Sequence, residues 1–196
     1  MRNRRQWLQG GAALALIHAA PAGLLLAPGA RAAEAEAEAR AAPRLDVPYV
    51  PTPMPVVDAM LELARVRKDD LLYDLGCGDG RIVVRAASRF GCRGVGVDLN
   101  PDRVDEARDS ARQAKVTALA RFEVGDVFAF DFSPASVVTM YLLPSVNLKL
   151  RPRLLSELRP GTRVVSHDFD MGDWAPQERR EVARSRLYLW TIPARG

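Results

Sequence analysis

The sequence predicts an α/β protein in which a mostly parallel β-sheet carries helices on both faces. Short apolar segments of strand length alternate along the chain with longer segments whose apolar residues recur at helical spacing. Such alternation implies right-handed crossovers between parallel strands. The chain has 196 residues, of which 48% are hydrophobic and 27% are charged. This composition is typical of a globular protein with room for one ordinary core.

The first part of the domain is predicted to alternate three helices with three strands. Four prolines between Pro48 and Pro55 restrict the backbone and disfavour a helix, so they predict an irregular start. Asn100 and Pro101 are typical of a helix cap and a first helical turn, and they mark where the third helix begins. The predicted strands cover residues 71–75, 94–98 and 121–124, and the predicted helices cover residues 55–67, 81–90 and 101–114.

The second part of the domain is predicted to contain one helix and three strands. Pro160 and Gly161 end the helical spacing that begins near Asn147. The predicted strands cover residues 136–142, 162–167 and 186–192, and the predicted helix covers residues 147–158. Ligands of such sheets bind beyond the carboxyl ends of the strands, so the residues just after each strand are the candidates for function.

The first 46 residues are predicted to lie outside the folded domain, which covers residues 47–196. Residues 1–32 place three arginines before an apolar stretch that ends in Ala30-Arg31-Ala32, the layout of a secretory signal peptide. The Arg4-Arg5 pair is also similar to a twin-arginine export signal. Residues 33–46 are an Ala/Glu-rich linker. We therefore expect an exported, periplasmic protein, or one that an uncleaved leader anchors to the inner membrane.

The chain beyond the predicted leader carries no excess of positive charge. The chain has a formal net charge of +4, but residues 1–32 hold four arginines and no acid, so the remaining residues hold 24 basic and 24 acidic side chains. A protein that binds mainly nucleic acid shows a basic footprint, so we do not expect a nucleic-acid partner. The chain has two histidines, one of them in the leader, and we predict no metal site.

A glycine-rich turn follows the first predicted strand. It reads Asp74-x-Gly76-x-Gly78-x-Gly80, a spacing that differs from the Gly-x-Gly-x-x-Gly pattern of dinucleotide-binding sites. Glycines allow the backbone to turn sharply and to approach a ligand closely, and the helix that follows offers unpaired N–H groups. The turn therefore predicts a ligand site at the end of this strand.

Acidic residues follow the next two predicted strands. Asp98 ends the second strand, where a carboxylate can accept hydrogen bonds from ribose hydroxyls. Asp126 and Val127 follow the third strand, where an acid can accept from an exocyclic amino group and an apolar neighbour can lie against a base. Either acid alone could be a helix cap. Acids at the ends of successive strands favour a ligand site instead.

This set of residues resembles the class I S-adenosylmethionine (SAM)-dependent methyltransferases, whose first motif is an acid followed by Gly-x-Gly-x-Gly. The resemblance implies a Rossmann-like class I methyltransferase fold with SAM as cofactor. It implies that Asp74 holds the amino group of SAM and that the three glycines pass its methionine part. It also implies that Asp98 holds the ribose hydroxyls, and that Asp126 with Val127 holds the adenine. SAM has a positive sulfonium and no phosphate, so acids suit it better than they suit NAD.

Candidate groups for the methyl acceptor follow the fourth and fifth predicted strands. Many amino-group methyltransferases place Asp or Asn-Pro-Pro-Tyr after the fourth strand, but this sequence lacks the acid or amide there and offers Tyr141, whose phenol could orient an amine. After the fifth strand, Asp168 and Asp170 could attract a cationic amine and share its proton. The two acids could instead lie in a solvated loop, and His167 could be a satisfied residue at the strand end. We predict Tyr141, Asp168 and Asp170 as catalytic residues.

The sequence from residue 47 onward is similar to one branch of this superfamily. The segment Val47-Pro48-Tyr49-Val50-Pro51-Thr52-Pro53, the glycine motif that ends at Arg81, and Leu143-Pro144-Ser145-Val146 resemble the protein-lysine methyltransferases of the mitochondrial ATP synthase c-subunit and adenine nucleotide translocase, and their bacterial relatives. This similarity implies that Tyr49 lies in a segment that folds over the cofactor.

The same similarity implies a SAM-dependent methyltransferase that acts on an amine, above all on a protein lysine. The mitochondrial enzymes act on membrane proteins, whereas this chain carries a predicted export leader. Their substrate therefore does not transfer to this chain. The protein or small-molecule amine substrate could lie close to a membrane. The alternative functions are a small-molecule N- or O-methyltransferase and a non-catalytic SAM-binding protein. The sequence does not indicate the oligomeric state.

Overall fold

The computed structural model describes residues 50–195, which form seven strands and four helices. The strands are β1 (Leu71–Leu75), β2 (Arg93–Asp98), β3 (Ala120–Val124), β4 (Val137–Met140), β5 (Arg163–His167), β6 (Glu178–Val182) and β7 (Ser185–Thr191). The helices are α1 (Met54–Leu63), α2 (Arg81–Phe90), α3 (Pro101–Gln113) and α4 (Pro144–Glu157). The predicted leader, the linker and Tyr49 lie outside the described residues. Within residues 50–195, no helix is both long enough and apolar enough to cross a membrane.

The strands form one sheet in the order β3-β2-β1-β4-β5-β7-β6. Strands β1 to β5 pair in parallel with one another, and β7 runs antiparallel to both β5 and β6. The carboxyl ends of β1 to β5 therefore share one edge of the sheet, which we call the carboxyl edge. The predicted fold, a mostly parallel sheet with helices on both faces, is confirmed.

Two apolar layers pack against the opposite faces of the sheet. Side chains of α1, α2 and α3, such as Val83, cover one face. Side chains of α4, such as Leu150, cover the other face together with residues from the connecting loops. Successive strand residues alternate between the layers, so Leu72 belongs to the first and Tyr73 to the second. The sheet is thus buried on both faces, and the residues that follow its strands are held in fixed positions at the carboxyl edge.

Two helix boundaries differ from the sequence prediction. Helix α4 begins at Pro144, three residues before its predicted start, because proline is favoured in the first turn, where its missing N–H group has no partner to lose. Helix α1 ends at Leu63, four residues before its predicted end, and Arg65 then adopts a left-handed conformation with φ of 51°. The α4 boundary matters for function because the additional turn belongs to the carboxyl edge.

The structure also contains a strand that the sequence pattern does not predict. Strand β6, with the sequence Glu-Arg-Arg-Glu-Val, pairs with β7 at the end of the sheet. Four of its five residues are charged, so it lacks the apolar alternation by which strands are recognised in a sequence. Residues 168–177 connect β5 to β6 without a helix.

Candidate functional site

The turn between β1 and α2 is formed by the predicted glycine motif. Gly76, Gly78 and Gly80 have φ values of 77°, 53° and 75°, a region that favours glycine. A Cβ atom at Gly80 would lie 2.6 Å from the ring of Phe122, and one at Gly76 would lie 2.5 Å from Cδ2 of Leu142. Conformation therefore favours glycine at both positions, and at Gly80 a side chain would also collide with the Phe122 ring. The backbone itself forms this part of the carboxyl edge.

Asp98 joins the glycine turn to the end of β2. Its Oδ2 atom accepts a hydrogen bond of 2.9 Å from the backbone N–H of Gly78, and its Oδ1 atom accepts one of 2.9 Å from that of Asn100. The first of these bonds fixes the turn, and the second orients the start of α3. The structure thus brings Asp98 and the glycine motif together, as the sequence analysis predicts for a single ligand site.

Asp74 is buried between β1 and β4. Its side-chain Oδ1 accepts a hydrogen bond of 2.7 Å from Oγ1 of Thr139, and the residue is 2% exposed. Burial, opposed by the Thr139 hydrogen bond and reinforced by the nearby carboxylates Asp98 and Asp79, raises the pKa of Asp74 to about 7. Asp74 is therefore only partly ionised at neutral pH. A positive charge placed beside it would stabilise its ionised form.

The loop that follows β3 starts beside Asp98. The backbone N–H of Gly125 donates to the carbonyl oxygen of Asp98 at 2.9 Å. Asp126 is exposed, and its Oδ1 atom accepts a hydrogen bond of 2.8 Å from the backbone N–H two residues later. Val127 is half-buried, and Arg153 of α4 donates to its carbonyl oxygen at 3.0 Å. The loop that carries Asp126 and Val127 therefore begins beside Asp98, and α4 holds it at Val127. We call the ends of β1, β2 and β3 the cofactor half of the carboxyl edge.

The ends of β4 and β5 form the rest of the carboxyl edge, which we call the acceptor half. The Tyr141 ring stacks on the His167 ring, with 3.8 Å between centroids and 30° between planes. The Phe169 ring lies nearly parallel to Tyr141 at 6.1 Å. Burial and the charge of Asp168 raise the pKa of the Tyr141 phenol. The phenol therefore stays protonated at neutral pH, so it can form hydrogen bonds but is a poor base.

His167 is buried, and both of its ring nitrogens lie close to hydroxyl groups. Nδ1 lies 3.1 Å from Oγ1 of Thr52, and Nε2 lies 2.8 Å from Oγ of Ser185. Burial lowers the pKa of His167, although the nearby Asp168 opposes this effect. The imidazole is therefore neutral at pH 7, and a hydroxyl can satisfy either ring nitrogen in either tautomer.

The two predicted catalytic acids have different surroundings. Asp168 has a φ of 60°, an uncommon conformation for a residue other than glycine. Its Oδ1 accepts from the backbone N–H of Arg186 at 2.8 Å, and its Oδ2 lies 3.3 Å from Nε2 of His167. Asp170 is exposed, and its Oδ1 accepts from the backbone N–H of Gly172 at 3.0 Å. Asp168 therefore lies beside Tyr141 and His167, whereas Asp170 extends from the loop into solvent.

The prolyl segment, residues 50–53, crosses from the acceptor half to the glycine turn. Besides the contact of its side chain with His167, Thr52 accepts a hydrogen bond of 3.0 Å at its backbone oxygen from Arg81. Arg81 follows Gly80 directly and forms an ion pair with Asp79 at 2.6 Å. Tyr49, which would precede this segment, lies outside the described residues.

Sequence reasoning missed four polar residues of this edge, namely Thr52, Thr139, Asn147 and Ser185. Asn147 lies in the first turn of α4, and its side-chain NH₂ donates to Oγ of Ser166 at 3.0 Å and to the backbone oxygen of Phe169 at 3.1 Å. Its Oδ1 is the one buried side-chain polar atom without a partner among the described residues. Asn147 is fully buried, and its amide links α4 to β5 and to the loop that follows β5. No local signal in the sequence marks any of these four residues.

The residues of the cofactor half fit SAM. The carboxylates of Asp79 and Asp98 lie close enough to Asp74 to raise its pKa. This surrounding favours a sulfonium and an amino group, and it would repel a pyrophosphate. Within residues 50–195, no group of three or more His, Cys, Asp or Glu side chains could hold a metal ion.

Comparisons with known proteins agree with this geometry. The family model of the ANTKMT methyltransferase domain matches residues 74–178. A protein-lysine N-methyltransferase of Saccharolobus islandicus is 52% identical over 151 residues, which are 74% of this chain and 94% of that protein. The lysine N-methyltransferase of the ATP synthase c-subunit from Homo sapiens is 34% identical over 130 residues, which are 66% of this chain. This chain spans only 55% of the human protein.

A solved structure is also similar. The RNA methyltransferase of Salinibacter ruber, in complex with S-adenosyl-L-homocysteine (SAH), is 59% identical with a TM-score of 0.73, and the match covers 74% of this chain and 95% of the Salinibacter chain. The family model matches more than half of this chain, and the Saccharolobus protein is matched over almost its whole length. The chain therefore belongs to the ANTKMT methyltransferase domain family and is a SAM-dependent methyltransferase.

Proposed function

We propose that this methyltransferase transfers the methyl group of SAM to the side-chain amine of a protein lysine. The observation that carries the proposal is the acceptor half, where a protonated phenol, Tyr141, lies among aromatic rings beside the carboxylate of Asp168. Such a surrounding attracts an ammonium group and offers oxygen atoms that accept its hydrogen bonds. The name of the Saccharolobus relative supports the same acceptor.

The residues of the cofactor half would hold SAM as the sequence analysis predicts, with Asp74 at its amino group, Asp98 at the ribose, and Asp126 with Val127 at the adenine. When bound, SAM supplies an electrophilic methyl group on a positive sulfur. What the chain must add is alignment of the acceptor nitrogen, exclusion of water, and removal of the ammonium proton.

We assign different roles in methyl transfer to the residues of the acceptor half. The Tyr141 phenol oxygen would accept a hydrogen bond from the amine and orient its lone pair. Asp168 and Asp170 would attract the ammonium and take part in moving its proton, Asp170 through solvent. His167 is a poor candidate for the base, since it is 2% exposed and both of its ring nitrogens already face hydroxyls.

RNA is the second candidate acceptor, because the Salinibacter relative is named as an RNA methyltransferase. The charge distribution favours a protein acceptor. Arginines of the described chain pair with acids, for example Arg153 with Glu157, Arg85 with Asp58, and Arg163 with Asp70. Pairing of this kind weakens the basic surface that binding to an RNA backbone requires.

The acceptor can be identified by labelling. Purified protein is incubated with methyl-labelled SAM and a cell-envelope extract, and the products are treated separately with protease and ribonuclease. We expect a protease-sensitive, ribonuclease-resistant product that yields methyl-lysine on hydrolysis. The Asp98→Ala variant, in which cofactor binding is expected to be much weaker, is the control. Label lost to ribonuclease would support RNA, and label in a small extractable compound would support a small-molecule acceptor.

We also propose that the protein acts after export, as the predicted leader suggests. Support comes from the sequence of residues 1–32 alone. The test is to express the full chain and a variant with Arg4→Lys and Arg5→Lys, and to separate periplasm, membrane and cytoplasm. The wild type is expected in the periplasm or bound to the inner membrane, and the variant in the cytoplasm. Wild type and variant both in the cytoplasm would exclude export.

A further inference from the structure

The prolyl segment is attached to both halves of the carboxyl edge through one residue, Thr52. Its backbone oxygen accepts from Arg81, which directly follows the glycine turn, and its side-chain Oγ1 lies 3.1 Å from Nδ1 of His167. Thr52 is 4% exposed although Pro51 and Pro53 on either side are exposed. A buried threonine between two exposed prolines indicates that this side chain is the anchor of the segment.

His167 connects that anchor to Tyr141. Its ring is buried, is held at both nitrogens, and lies 3.8 Å from the centroid of the Tyr141 ring. A ring fixed in this way limits where the tyrosine ring above it can lie, since stacked aromatic rings hold a preferred separation and offset. The position of Tyr141 therefore depends on a hydrogen bond between residues 115 positions apart in the sequence.

We propose that Thr52 and His167 are positioning residues for methyl transfer, which together fix Tyr141 at the acceptor amine. The proposal rests on the proposed function, because it gives Tyr141 the acceptor-orienting role stated there. It differs from a purely structural role in one respect. Loss of the Thr52 hydroxyl should reduce turnover much more than it reduces cofactor affinity or stability, since misplacement of a reacting group by a fraction of an ångström is enough to slow a reaction.

The test compares Thr52→Val with a matched variant at the opposite edge of the sheet. Thr162 is also buried, at 3% exposure, and its Oγ1 donates to the backbone oxygen of Ala135 at 3.1 Å. Thr162→Val therefore removes one buried hydroxyl bond of the same length by the same substitution. Labelling rates are measured with the cell-envelope extract as acceptor, SAH affinity by calorimetry, and stability by thermal unfolding.

We expect Thr52→Val to label the extract about 10-fold more slowly at saturating SAM, with SAH affinity within about twofold of wild type. Thr52→Ser, which keeps the hydroxyl, should restore most of the rate. Thr162→Val should lose stability to a similar extent and keep the wild-type rate. Equal rates for Thr52→Val and the wild type would overturn the proposal, and so would equal losses in the Thr52→Val and Thr162→Val variants.

A second measurement needs no acceptor. The proton resonances of the Tyr141 ring, assigned by comparison with Tyr141→Phe, should carry a ring-current shift from the stacked His167. We expect this shift to change in Thr52→Val and to stay in Thr162→Val. If the wild type labels nothing in the extract, the proposed function fails, while these resonances still test whether Thr52 fixes Tyr141. Unchanged Tyr141 resonances in Thr52→Val would refute the positioning role.

Discussion

The two halves of the carboxyl edge are assembled over different distances along the chain. In the cofactor half, Asp98 shapes the glycine turn from 20 residues away, and Asp126 closes a turn with a residue only two positions on. In the acceptor half, His167 depends on Thr52, which is 115 residues distant. The longest hydrogen bond described in the cofactor half, from Thr139 to Asp74, spans 65 residues, whereas the contact between Thr52 and His167 joins the start of the domain to its fifth strand.

The largest expected effect is in the cofactor half. Asp98→Ala should weaken SAH binding about 100-fold. The two ribose hydroxyls of SAH lose a charged acceptor, and the glycine turn loses its hydrogen bond to Oδ2 of Asp98. Isothermal calorimetry measures the affinity. Asp102→Ala, at an exposed acid in the first turn of α3, is the control and should bind as the wild type does. Wild-type affinity in Asp98→Ala would remove Asp98 from the site.

The next largest effect is expected in the acceptor half, where a substitution should change the labelling rate without changing cofactor affinity. Tyr141→Phe should lower the labelling rate about 10-fold and leave SAH affinity unchanged, because it removes only the oxygen that orients the amine and keeps the ring stacked on His167. Rate and affinity are measured on the same preparation. An equal rate in both proteins would exclude the phenol from the reaction, and a parallel loss of SAH affinity would mean that the two halves are not separate.

The affinity for SAH, which depends on the cofactor half, should vary with pH because of Asp74. The pKa of Asp74 is raised to about 7 in the folded protein, so the carboxyl is protonated below this pH, and a ligand's cationic amino group must displace that proton. SAH affinity should therefore rise with pH by about 10-fold between about pH 6 and 8 and level off above about pH 8. Asp74→Asn should bind weakly at every pH. A wild-type affinity that stays flat over this range would contradict the assignment of Asp74.

The smallest effect concerns the exposed part of the acceptor half. Asp170→Asn should raise the apparent KM for the envelope acceptor about twofold at low salt and have no effect at high salt, because a solvated carboxylate attracts a cation only weakly and is screened. Asp131→Asn is the matched control, since Asp131 is also an exposed acid that accepts from a backbone N–H two residues later. A drop in turnover at saturating acceptor would instead give Asp170 a direct catalytic role.

Local sequence is sufficient for the elements that depend on local chemistry. The strand over residues 71–75 and the helix over residues 81–90 have the predicted bounds, because the glycine motif between them requires a turn of one kind. Strand β6 could not be predicted, since its charged sequence pairs only because β7 lies beside it. The start of α4 is missed because a proline such as Pro144 is as typical of a connecting loop as of a first helical turn.

In the candidate site, too, the residues that belong to local motifs could be predicted and those that depend on distant contacts could not. Asp74, Asp98 and the glycines lie together as the order of the strands implies, and so do Tyr141 and Asp168. Thr52 and Asn147 are missed because neither a threonine among prolines nor a single asparagine in a helix forms a recognisable pattern. Their roles depend on which distant groups the fold brings to them, and that information is not contained in a short segment.

The exposed hairpin that ends the sheet has a consequence for how copies of the protein behave in a crowded compartment. Strand β6 is an outer strand whose unpaired backbone could template a further strand. Its acids and arginines, with Arg180 paired to Glu178 and Arg179 over the ring of Tyr188, cover that border with charge. A second copy that docked there would have to desolvate these charges, and this cost opposes edge-to-edge aggregation.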